Sequence, residues 1–381
     1  MNSMRQRLLR FFVLFNVVVG GIGMQAVVAD EHNVGFEVTR AGQQMAFSAF
    51  LADLKTAKVA IVGEYHDSVA AHELQLKVLQ GLQTLEPQQW ALGIEWLPVS
   101  AQAAIDDYLA DKTDDFQFLQ ASDYVNRWGF DARLVLPILR YAKEHNIKVL
   151  ALNAPSELTR QVSKEGLDSL SAEQRALFPN PLLPQSPQYL EFLEDFLKNN
   201  HIPADKKEMM LTVQAIWDQT MAMSVINFLK HSPSQKVLVL AGMVHAAKGQ
   251  GIQDALQHLN PQMSIKTIGN GSLENEEDFP FDYFVHLPEM NLSPALVLGV
   301  MLQTDHQKLT VEEVNAEGLA IKLGLQKGDQ IQQIGDYLTN TLADLKLALW
   351  LSTGQNQVVI KWLRHDDILD IDLPYQALWV D

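Results

Sequence analysis

Cysteine is absent from the 381 residues. That single absence excludes disulfides, lipid attachment at a cysteine, covalent c-type haem, iron–sulfur clusters, thiolate metal ligands and a cysteine nucleophile. Basic residues are also scarce: 29 Lys and Arg stand against 46 Asp and Glu, for a net charge of −17. Such a surface disfavours nucleic acid and anionic membrane as partners. No Gly-x-Ser-x-Gly elbow occurs, which argues against a serine hydrolase of that design.

Long apolar runs are missing as well. Arg5, Arg7 and Arg10 precede a run from Phe11 to about Val19, too short to span a bilayer, with Val27 and Ala29 placed for a cut before Asp30. Residues 1–29 are therefore expected to be a secretory signal peptide, and the mature chain to be soluble, exported or periplasmic, and not membrane-spanning. Losing the three arginines takes the net charge from −17 to −20.

What is present is organised around Val59-Ala60-Ile61-Val62-Gly63-Glu64-Tyr65-His66-Asp67-Ser68. The apolar run reads as a short strand buried on both faces, ended by Gly63. Ser68 suits a helix cap, with Leu76, Leu79 and Leu82 marking the apolar face of the helix that follows. Further strands are expected at Trp90 to Glu95, Ile147 to Leu152 and Lys236 to Gly242, with more near Ser264 to Ile268 and Tyr283 to Leu287. Arg133 to His145, Tyr189 to Lys198 and Asp205 to Lys230 read as helices. On the last of these, Gln214, Asp218 and Met221 share a face. The stretch after Leu109 reads as a polar loop.

Strands alternating with helices predict an α/β fold with a mainly parallel, doubly wound sheet and a helical insertion. In such a sheet the strand carboxyl ends share one edge, where ligands bind. Glu64, His66, Glu95, Asn153 and His245 each lie at or just past such an end. Two carboxylates and two histidines could bind a divalent metal and activate water. They could also act without metal, His66 as general base oriented by Glu64 or Glu95. The simpler alternative is a set of polar turns.

Beyond Asn291 to Pro294, short strands and turns surround one helix, Leu342 to Leu351. This predicts a separate small β-rich domain at 295–377, following a first domain at 30–290.

Two resemblances attach to these residues. Gly63-Glu64-Tyr65-His66-Asp67 with His72 and Gln75, then Gly93-Ile94-Glu95 and Leu150 to Pro155, resemble landmarks of the ChaN-like haem-binding proteins. Gln214 with Asp218, Met221 and Ala222, and then Gly242-Met243-Val244-His245, complete the set in order. Those proteins share a superfamily with the TIKI/TraB proteins and the erythromycin esterases. The resemblance implies non-covalent haem binding and a role in haem or iron uptake, with Tyr65, His66, His72 and His245 as candidate iron ligands. It also implies tyrosine ligation at a surface shared between subunits, hence a homodimer. The chain departs from familiar members in lacking a lipidated cysteine and in placing Ala71 and Glu73 beside His72. The hydrolase branches imply the alternative, a metal-dependent hydrolase or protease using Glu64, His66, Glu95 and His245.

The C-terminal part resembles a bacterial PDZ domain. Leu298, Gly299, Val300 and Met301 are similar to the carboxylate-binding loop and following strand, and Leu323-Gly324-Leu325 with Gly328-Asp329 match the downstream segment. A groove of this kind takes the C-terminal peptide of a partner as an added strand. A further alternative is an adaptor with an inert first domain.

Overall fold

A computed structural model describes residues 35–199, 201–272, 280–306 and 308–374. The expected signal peptide lies outside the described residues. The chain forms a mixed α/β sheet with mostly parallel strands and a separate antiparallel β-rich part. By packing it divides into two compact units, one of the described residues up to Val99 with Leu152–Met290, the other of Ser100–Ala151 with the described residues from Asn291 onward.

The mostly parallel sheet is built on strands β1 (Glu37–Arg40), β2 (Gln43–Met45), β3 (Val59–Glu64), β4 (Trp90–Pro98), β5 (Val149–Asn153), β6 (Lys236–Gly242), β7 (Ile265–Gly271) and β8 (Tyr283–His286). Their order is β2-β1-β8-β7-β3-β6-β4-β5. β7 and β6 flank β3 in parallel, β4 follows β6 in parallel, and β1 joins β8 antiparallel. Every residue of β3 and of β4 is buried, as parallel strands covered on both faces require. Burying Val59, Ile61 or Val62, each 0 % exposed, contributes about 2 kcal/mol apiece.

Two strands are longer than their sequence suggests. β3 continues through Gly63 to Glu64, and β4 continues past Glu95 to Pro98. Their glutamates remain in the ladder because hydrogen-bond donors from other segments receive them. Helix Val69–Leu85 follows β3, with the Ser68 hydroxyl accepting from the Ala71 N–H at 3.2 Å. The longest helix, Ala204–His231, delivers Gln214 and Asp218. After Pro155 the chain forms helix Ser156–Glu165, ahead of a loop that holds Pro179, Pro181 and Pro184.

The second unit contains β9 (Val300–Asp305), β10 (Lys308–Val314), β11 (Gln330–Ile334), β12 (Tyr337–Leu338), β13 (Gln357–Arg364) and β14 (Asp367–Pro374). The sheet runs β14-β13-β11-β10-β9, with β12 beside β11. Asp329, 1 % exposed, takes both branches of the Arg364 guanidinium at 2.8 Å. The residues from Ser100 to Ala151 belong to this unit and carry helices Asp115–Ala121 and Tyr124–Arg127, where a polar loop was expected. They dock on helix Leu342–Ser352. Phe116 stacks on Tyr337 with ring centroids 4.6 Å apart, Gln120 Nε2 donates to Asp344 Oδ1 at 2.5 Å, and Lys346 Nζ donates to the Gly129 carbonyl at 3.1 Å. By packing, the segment groups with the C-terminal part.

Candidate functional site

The order β3-β6-β4 places Glu64 and Glu95 on either side of β6, whose last residue, Gly242, pairs with Glu64. A side chain at Gly242 would obstruct the space between them. Its Cβ would come 2.8 Å from His66 Cε1 and 3.5 Å from Glu95 Oε2. The glycine opens the edge of the sheet to the imidazole.

Glu64, 0 % exposed, is held by three donors. His66 Nδ1 donates at 2.9 Å, Gln75 Nε2 at 2.7 Å and the Trp96 indole at 3.1 Å. Burial alone would raise its pKa; the nearby His72 and His66 imidazoles and the Gln75 amide outweigh it and hold it down at about 2. Glu64 is therefore a fixed anion at neutral pH.

On the other side, His245 is positioned by Asp218. His245 Nδ1 donates to Asp218 Oδ1 at 2.6 Å, and Asp218 also accepts from the Tyr189 hydroxyl at 3.0 Å. His245 Nε2 lies 3.4 Å from Glu95 Oε1, while Glu95 Oε2 accepts from the Gly242 N–H at 2.5 Å. Burial would depress the His245 pKa, but the charges of Glu95 and Asp218 overcome it and lift it to about 9. His66 is raised too: burial opposes, and the Glu64 hydrogen bond with the charges of Glu95 and Glu64 prevail.

The structure thus brings Glu64, His66, Glu95 and His245 together as two carboxylate–imidazole pairs meeting at Glu95. His72 is different. It was expected among the iron ligands, yet it is 3 % exposed, with Nδ1 at 3.1 Å from Gln75 Oε1 and Nε2 at 3.3 Å from the His66 carbonyl. Both ring nitrogens are occupied inside the fold, so it supports the Glu64 side instead. Asn153 turns to its own chain, its Oδ1 accepting from the Ala154 N–H.

Tyr65 directly follows the end of β3. With Phe192, Val244 and Phe281, all half-buried, it packs around buried Met243 and Ala247. These side chains make an apolar, aromatic surface beside the carboxylate–imidazole pairs.

Sequence reasoning gave Trp96 and Tyr189 no place in the cluster. Trp96 carried a signal, following Glu95 directly. Tyr189 carried none, being separated from β6 by the rest of its own helix, Pro187–Asn199, and by helix Ala204–His231.

In the second unit, the Gly299 backbone has φ of +74°, and a Cβ there would stand 2.8 Å from Gly318 Cα. The Leu298 carbonyl accepts from Ala320 N–H and the Gly299 carbonyl from Asn315 N–H, both at 2.8 Å. These bonds fix the loop ahead of Val300 and Met301, the first two residues of β9. β9 ends its sheet, with β10 its one paired strand among the described residues.

An open, mainly parallel sheet with a titratable cluster at its carboxyl edge, combined with a small antiparallel domain, defines a two-module α/β protein. Residues 50–256, more than half of the chain, match the family described as haem-binding uptake, Tiki superfamily, ChaN, and the chain belongs to that family. Residues 297–374 match the PDZ domain family. Among solved structures, the fold is similar to ChaN of Campylobacter jejuni, which binds haem cofacially: TM-score 0.55, 18% identity, covering 67% of this chain and 97% of that one. An erythromycin esterase mutant in its open conformation gives a TM-score of 0.37 at 13% identity, over 66% of this chain and 83% of that one. Protein RETICULATA-RELATED 5, chloroplastic, of Arabidopsis thaliana is 26% identical over 134 residues, which are 34% of this chain. The match spans 18% of that relative's length. Among the described residues, no helix is long and apolar enough to cross a membrane.

Proposed function

We propose that this is an exported protein that binds haem non-covalently in haem or iron handling, and that its PDZ domain recruits the C-terminal peptide of a partner. The observation that carries the reading is membership of the haem-binding family across residues 50–256. The residues present fit the group. Haem needs an apolar, partly open surface and a donor to iron, and Tyr65 with Phe192, Val244 and Phe281 supplies both kinds of side chain. Bound haem would supply an iron centre able to bind a phenolate or an imidazole. His66 and His245 spend Nδ1 on carboxylates. The His245 pKa, lifted to about 9 by Glu95 and Asp218, keeps that ring protonated at neutral pH, a donor rather than a ligand. Tyr65 is therefore our choice of ligand, with His66 and His245 set to donate hydrogen bonds.

The raised His245 pKa works against the hydrolase alternative at that residue, where a metal ligand or base must be a neutral imidazole. Among the described residues, no group of three or more His, Asp or Glu is disposed to hold a metal ion. Export is supported by the leader read in residues 1–29; intact mass of the mature protein should place its first residue at Asp30.

Haem titration of the purified full chain tests the reading. A saturable Soret change is expected, lost in Tyr65→Phe and retained, weakened, in His66→Gln. Linear, non-saturating binding would overturn haem binding, and a wild-type titration by Tyr65→Phe would remove Tyr65 as ligand. Ester hydrolysis restored to chelator-treated protein by a divalent ion, and abolished in Glu64→Gln, would put the alternative in its place.

A further inference from the structure

A cavity of about 400 Å³ lies inside the second unit, between β9, the first turns of helix Leu342–Ser352 and the helices on either side of Ser122. Its polar lining is Gln120, Asp123, Asn126, Thr304, Thr341 and Asp344. Three of these come from the segment before β5, which lies within the haem-family match, and the rest from the PDZ match. The wall from the earlier segment is fixed in place by the Phe116–Tyr337 stack and the Gln120–Asp344 hydrogen bond.

The cavity stands in register with the outer edge of β9. A peptide added as a strand there, with its carboxylate at the Gly299–Val300 turn, runs back along β9 at about 3.4 Å per residue. Thr304 is four positions beyond Val300, so the peptide residue about four before the C-terminus arrives at the cavity mouth. The lining is acidic: it includes Asp123 and Asp344 and no Lys or Arg. The donors to Asp344 are neutral, namely Gln120 Nε2 and the N–H groups of Asn340 and Thr341. Asp123 is half exposed, accepts from Asn126 Nδ2, and forms a solvent-facing ion pair with the Arg127 guanidinium at 3.6 Å, which an incoming cation can share.

We infer that residues 119–126 extend the peptide groove with a side pocket that takes a Lys or Arg about four residues upstream of the partner's C-terminus. The inference rests on the peptide-binding reading of the PDZ domain and adds a specificity that the domain's own residues do not supply alone. The long methylene stem of a basic side chain would lie against Leu119, Val125 and Leu347 while its head group reaches the two carboxylates.

The test is selection by the full chain from a phage-displayed library of random C-terminal heptapeptides. Wild type should enrich Lys and Arg about three- to fivefold at the fourth position before the C-terminus, the scale of a partly exposed ion pair. Asp123→Asn should abolish that enrichment and leave the preference at the last residue unchanged. Asn retains Asp123's left-handed backbone at φ +54° without strain. Gln120→Ala, which opens the wall, is a second variant expected to weaken it. Enrichment confined to the C-terminal residue, or basic enrichment equal in wild type and Asp123→Asn, would overturn the side pocket while leaving peptide binding intact. No C-terminal enrichment at all would overturn both.

Discussion

His245 Nδ1 stands 2.6 Å from Asp218 Oδ1, although 27 residues and a whole strand separate them in the chain. Asp218 comes from the middle of a long helix and His245 from the short turn after β6, so this bond ties the helical layer to the carboxyl edge of the sheet. Asp218→Asn keeps the size and removes the charge. The His245 pKa, held at about 9 by Glu95 and Asp218 against the opposing pull of burial, should then fall. Imidazole NMR shifts followed across pH 5–10 would show it. A titration unchanged by the substitution would mean that Glu95 alone holds the proton.

Stability should depend on pH through the same groups, with opposite signs on the two sides of neutrality. A raised histidine pKa favours the folded state below the unfolded value, and the benefit disappears as pH rises through the folded one. For His245 the window runs from 6.5 to about 9. The loss across it is on the order of 3 kcal/mol. Glu64 acts at the acid end: its stabilisation is present above 4.5 and is lost as pH falls towards 2. Urea unfolding at several pH values should give a maximum between these windows. In His245→Gln the alkaline slope should flatten, leaving the part due to His66.

Much of this edge was legible in the chain. The apolar runs before Glu64, Glu95 and His245 marked parallel strands, and parallel strands must align their carboxyl ends. The ends of β3 and β4 were not legible. Glu64 and Glu95 look like stops by local polarity, and the groups that make them tolerable inside the ladder, Gln75, Trp96 and the Gly242 N–H, arrive from other segments. His72 looked like a ligand because histidines near a haem-family motif invite that reading; its burial against Gln75 depends on helix packing. The helices between Asp115 and Arg127 escaped notice because their buried Phe116, Phe118 and Leu119 are set among Asp and Gln. Their packing partners, Tyr337 and helix Leu342–Ser352, lie some 200 residues later.

Gly242→Ala tests whether the gap in β6 is needed for the cluster. The added methyl would come within 2.8 Å of the His66 ring, which is pinned by its 2.9 Å bond to Glu64. The ring must move and that bond must lengthen. A destabilisation of about 1–3 kcal/mol is expected, the usual cost of overfilling a packed interior. The His66 pKa should fall with it, since the Glu64 hydrogen bond is the largest of the influences that raise it. A variant with wild-type stability and an unmoved His66 titration would show that the ring has room to spare.

In the second unit the corresponding test is Arg364→Ala. Asp329 is 1 % exposed, and both its oxygens accept from the guanidinium of Arg364, with the Gln326 N–H as the remaining donor to Oδ2. The ion pair, together with burial that works against it, leaves the Asp329 carboxyl below its ordinary pKa. Removing the arginine strands a buried anion, which costs about 3 kcal/mol when one partner of a buried pair is deleted. Asp329 sits in the turn that feeds β11, and Arg364 ends β13, so the loss should fall on the sheet that carries β9 at its other side. Hydrogen exchange on the full chain should show faster exchange of β11 and β13 amides in Arg364→Ala, with β3 and β6 unchanged. Arg364→Ala combined with Asp329→Asn should recover part of the loss, because the buried group is then neutral. If the double variant were as unstable as Arg364→Ala alone, packing of the arginine stem rather than the stranded charge would be the cause.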